Sequence, residues 1–99
     1  MKDTDTSVTH VTPADGNIFA ELGFKPAEAA KLKIKSGLMI EIRQWVEASK
    51  LRQVDAAKIL KVSRPRLSDV MRGKIGKFSI DALVDMLENA GLHVTVHIA

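Results

Sequence analysis

The sequence predicts a mostly α-helical domain that closes on one short β-strand. Three observations predict it. Apolar residues recur at spacings of three and four through residues 26–89, the period of helices that bury one face. Ser63, Gly73, Ser79 and Gly91 fall where short helices would start or stop. The period then switches to two at Leu92, Val94, Val96 and Ile98, the signature of a half-buried strand. At 99 residues and 45% hydrophobic, the chain can bury one small core. It has no cysteine, which excludes a disulfide scaffold and any cysteine-ligated zinc or iron–sulfur site. No run approaches the length of a spanning helix. The first seven residues are polar and do not read as a signal peptide. A cytoplasmic protein is therefore expected.

The elements follow in order. Residues 1–14 are polar and close on Pro13, so they are expected to form a flexible tail. Residues 15–91 are expected to be the helical domain and 92–99 a strand used for dimerisation. Asp15 can cap a short helix carrying Ile18, Phe19 and Leu22, with Gly23 ending it. Residues 26–49 form a long helix with Pro26 in its first turn. Its inner face holds Leu32, Leu38, Met39, Ile42 and Val46, with Trp45 in the core and Gly37 a weak point. Gln53 to Leu60 forms a short helix with Val54, Ala57, Ile59 and Leu60 apolar. The small Ala56 and Ala57 allow a second helix to cross closely. Lys61-Val62 is a turn. Ser63 then caps a helix over about residues 64–72, with Pro65 in its first turn and Leu67, Val70 and Met71 facing inward. Ser79 caps the next helix, and Phe78 and Leu83 stand at the positions of a hydrophobic staple. No second strand is evident, so the strand of Leu92, Val94, Val96 and Ile98 is expected to meet its own copy in a homodimer, or a partner's sheet edge.

The formal charge of +3 conceals an asymmetry. Residues 50–77 hold nine lysines and arginines against Asp55 and Asp69, a local net of +7, while the rest of the chain nets −4. A basic block on a mildly acidic body aims one face at a polyanion. The block coincides with two short helices joined by a tight turn, the arrangement of a helix-turn-helix. The second helix must keep Leu67, Val70 and Met71 inside, which leaves Arg64, Pro65, Arg66, Ser68 and Asp69 to face bases. Arg64 stands at the entering end, where bidentate contact to a guanine edge is natural. Asp69 can accept from a cytosine amine or orient Arg66. Gln53, Arg72, Lys74 and Lys77 are expected at backbone phosphates.

This run resembles the helix-turn-helix of phage-repressor (Xre/Cro) regulators, a lambda-repressor-like bundle. The likeness rests on Gln53, the Ala56-Ala57 pair, the Ser63 cap, the Leu67-Ser68 pair and the closing Gly73-Lys74. The segments 19–24, 29–35 and 78–83 narrow it to the small-antitoxin branch related to HigA, over about residues 15–98. The resemblance implies a dimer that binds a palindromic double-stranded operator, represses its own operon and neutralises a RelE/HigB-like toxin. It also implies a phosphate-side role for Gln53 and base-facing roles for Arg64, Pro65, Arg66 and Asp69. Two departures stand out. Lys61 occupies a turn position where the family carries glycine, and Arg64 one where it often has glutamine.

Rival readings are weaker. His93 and His97 share a strand face, but two histidines alone do not make a metal site, and no carboxylate or cysteine sits nearby in sequence to complete one. No phosphate loop, nucleophile signature or paired-histidine zinc motif occurs. Glu41, Glu47, Asp85 and Glu88 read as wet helix faces. No enzyme activity, cofactor or metal is expected. The alternative is an interaction module, or a regulator without a toxin, in which the helix-turn-helix is scaffold.

Overall fold

The computed structural model describes residues 7–10 and 22–98. Among the described residues, four α-helices make up the body: α1 (Pro26–Ser49), α2 (Gln53–Leu60), α3 (Arg64–Met71) and α4 (Ile80–Asn89). A 3₁₀ turn at Ile75–Lys77 links α3 to α4. Two strands, β1 (Ser7–His10) and β2 (His93–Val96), complete the fold. The short helix expected from Asp15 lies outside the described residues, apart from its closing Leu22-Gly23 turn.

One core serves all four helices. Leu38, Met39, Ile42 and Val46 of α1 meet Ala56, Ala57 and Leu60 of α2, Leu67 and Val70 of α3, and Leu83, Met86 and Leu87 of α4. Burial of this apolar surface is the main force that assembles the helices, because helices as short as α2 and α3 are marginal alone. Trp45 packs on the core and is half-buried. α1 runs unbroken through Gly37, since tertiary packing on both sides outweighs the residue's poor propensity. Val54 and Ile59, apolar residues of the same helix, are exposed. An eight-residue helix presents only a narrow stripe, and Ala56, Ala57 and Leu60 fill it.

Local chemistry sets the helix ends. The Ser63 hydroxyl accepts from the Arg66 amide at 3.2 Å, and Ser79 accepts from Ala82 at 3.1 Å. Each satisfies one of the donors a helix start leaves open. Three helices end in the same way. The amide after the left-handed residue reaches back five positions, and that residue's own amide reaches back three. The pairs are Val62 to Ala57 with Lys61 to Lys58, Lys74 to Asp69 with Gly73 to Val70, and Leu92 to Leu87 with Gly91 to Glu88. Glycine occupies the left-handed position in two of these ends, but in α2 it is Lys61, at φ 61°.

The ends of the chain correct one expectation. Ser7–His10, expected in a flexible tail, forms a strand that pairs in parallel with β2, Ser7 opposite His93 and His10 opposite Val96. So β2 already has a partner within its own chain. Val8 and Thr9 suit a pleated strand, but the pairing joins opposite ends of the sequence, where local patterning carries no signal. β1 also lies along α1, and β2 along α4. Glu88 fastens the α4–β2 junction. Its carboxylate accepts from the Val94 amide at 3.0 Å and lies 3.4 Å from His93 Nδ1. Leu92 and Val94 pack on the core, whereas Val96 and Ile98 are 63% and 94% exposed. Among the described residues, no helix is long and apolar enough to cross a membrane.

Candidate nucleic-acid interface

α2 and α3 are joined by Lys61, Val62 and Ser63 alone. Such a short link needs one residue in the left-handed region, which Lys61 supplies. The buried Ala56 and Ala57 bring no bulk to the crossing, and Leu67 and Val70 anchor α3 from below. Asn89 braces the arrangement from α4, its amide donating to the Leu60 carbonyl at 3.1 Å. That carbonyl stands at the end of α2, where helix acceptors lack intrahelical donors.

The expected base-facing residues divide into two groups. Arg64 and Pro65 are exposed on the first turn of α3, and among the described residues Arg64 has no hydrogen-bond or ion-pair partner. Arg66, Ser68 and Asp69 are half-buried, and two of them are engaged. Arg66 lies over the Phe78 ring at 4.4 Å and donates to the Lys77 carbonyl at 3.2 Å. Asp69 faces Lys77 at 3.6 Å and Lys74 at 3.8 Å, and does not orient Arg66. Of the expected phosphate-side group, Arg72 is exposed and unpaired among the described residues, while Lys74 and Lys77 share Asp69. Gln53 is half-buried at the start of α2, which has no side-chain cap. Its backbone amides there carry the partial positive charge of a helix start.

Phe78 had been expected only as an apolar staple. The buried ring also forms the platform under Arg66, a contact worth about 0.5–1 kcal/mol at a partly exposed site. Nothing in residue spacing signals it, because the 3₁₀ turn is what folds Phe78 back beneath α3. Among the described residues, no group of three or more histidines, aspartates or glutamates could hold a metal ion.

The short turn, the capped second helix and the basic outer face together make a helix-turn-helix. A family profile described as a helix-turn-helix domain matches residues 18–99. The chain belongs to the helix-turn-helix domain family. No curated protein matches it. The match spans the whole bundle and β2, so the four helices and the closing strand are one family unit. As a helix-turn-helix protein, the chain has DNA as its natural partner class.

Proposed function

We propose that this helix-turn-helix protein is a sequence-specific regulator that binds a palindromic double-stranded operator as a homodimer. The observation that carries the reading is Arg64, exposed and unpaired among the described residues on the first turn of the second helix of the motif. That position enters the major groove first, and the guanidinium fork matches the O6 and N7 acceptors of guanine. Pro65 and Ser68 line the same approach. Arg66 and Asp69 can join them only by leaving Phe78, Lys74 and Lys77, so Arg64 leads. Arg72, Lys74, Lys77 and the Gln53 end of α2 take backbone phosphates, which supply salt-dependent affinity.

The dimer uses the continuous apolar face of Leu92, Val94, Val96 and Ile98. Its inner half rests on the core and its outer half is open, a ready site for a second copy. Half-site centres then lie about 34–36 Å apart. The resemblance to the Xre/HigA branch supports the finer reading of an autorepressor that also neutralises a RelE/HigB-like toxin.

The test is selection from a randomised duplex library, followed by titration of the selected duplex against a scrambled one. Wild type should enrich an inverted repeat. Arg64→Ala should lose discrimination at one base pair per half-site by about 1–3 kcal/mol, a factor between about 5 and 150. Arg72→Met, at an exposed phosphate-side position with no side-chain partner among the described residues, should weaken both duplexes alike. No enrichment would sink the reading and favour an interaction module, and identical behaviour of the two variants would sink the division of roles.

A further inference from the structure

Asp69 is one of two carboxylates in the basic block of residues 50–77, and the only one on α3. The other, Asp55, pairs locally with Arg52 at 3.2 Å. Asp69 instead holds two lysines from the segment after α3, Lys74 and Lys77, and its side chain is only 22% exposed. Both lysines are themselves well exposed, so their ammonium groups can leave for another anion without unfolding anything. The fold does not depend on the carboxylate, because the backbone carbonyl of Asp69, not its side chain, accepts the amide that closes α3.

We propose that Asp69 sets the specificity ratio of the interface by holding Lys74 and Lys77 back from the DNA backbone in non-cognate complexes. The proposal rests on the DNA-binding reading above. On a non-cognate duplex, each lysine that turns to phosphate strips Asp69 of one of its two counter-charges beside a polyanion, and if both turn nothing offsets the repulsion. The lysines therefore stay with the carboxylate, and non-specific binding is held low. At the cognate site α3 seats fully. Asp69 then faces base edges, where a cytosine amine can replace the lysines as its donor, and both ammonium groups pass to phosphates. The carboxylate thus withholds phosphate contacts until the right bases release them.

The experiment compares wild type with Asp69→Asn on the selected and the scrambled duplex, over a series of salt concentrations. Glu28→Gln, which removes an exposed carboxylate from the first turn of α1, controls for net charge. For Asp69→Asn, affinity for the scrambled duplex should rise about fivefold or more, and the log–log salt slope should steepen by about 1–2. Affinity for the selected duplex should rise less, so the specificity ratio falls. In a Lys74→Met/Lys77→Met background, Asp69→Asn should leave the salt slope on the scrambled duplex unchanged, because no lysine is left to release to phosphate. A steepening of the salt slope no larger than that of Glu28→Gln, or one that persists without the lysines, overturns the proposal while leaving the DNA reading intact. Wild type that prefers no duplex removes the reading beneath it.

Discussion

Lys61→Gly should stabilise the protein. Lys61 sits at φ 61°, ψ 41° at the end of α2, with its own amide bonded to Lys58 and the next amide bonded to Ala57. For a residue with a Cβ, the left-handed region costs roughly 1–2 kcal/mol, which glycine avoids. Glycine returns about 0.5–1 kcal/mol of that through its larger freedom in the unfolded chain. The net gain is about 0.5–1 kcal/mol, a rise of about 2–8 °C in Tm for a domain of this size. The Lys61 side chain is exposed and no packing is lost. The molecule carries its own counter-example at Gly73, at φ 72° in the same bonding pattern, with open space around the position where a Cβ would stand. Gly73→Ala should therefore lower Tm by a similar amount through backbone strain alone. Thermal melts followed by circular dichroism, with urea titrations for ΔG, provide the assay. If Lys61→Gly is neutral or destabilising while Gly73→Ala destabilises, the lysine has contacts that outweigh its conformation, and the argument from the turn is wrong.

Three other outcomes are expected. Leu67→Ala empties a fully buried site beneath the recognition helix and should cost about 3–5 kcal/mol, a large share of a small domain's stability, read by urea denaturation. Ser63→Ala removes the cap at the start of α3 and should cost about 1 kcal/mol, with faster amide exchange at Arg66 as the local signature. Val96→Lys with Ile98→Lys should leave the monomer's thermal stability almost unchanged, because both side chains are exposed, but should abolish the proposed dimer in light scattering.

Where the sequence was legible, the determinants were local. The long helix was expected over 26–49 and runs Pro26–Ser49, and the next helix matches at Gln53–Leu60. Ser63, Pro65 and Gly73 fixed the limits of the recognition helix to within a residue, because a cap or a left-handed stop acts within one turn. What could not be read came from distant segments. The strand partner of β2 lies at the other end of the chain. The charges of Arg66 and Asp69 are engaged by residues beyond α3, at positions set by a 3₁₀ turn that leaves no periodic trace. Residue type identified who could face DNA. The fold decided which of them are held by neighbours in its absence.

The parallel pairing of β1 with β2 has a kinetic consequence. Two strands running the same way need a crossover between them, and here the crossover is the entire helical bundle. Among the paired elements of the described residues, this pair spans the largest sequence separation, so its closure bears the greatest loop entropy and should come last. During synthesis β1 leaves the ribosome before the helices and waits while everything that separates it from its partner is made. In the finished protein the same contact should be the first to open, exposing the backbone of β2 before any helix loosens. Amide exchange at Thr95 and Val96 should therefore run ahead of global unfolding, while Val94, whose amide Glu88 holds, should exchange more slowly.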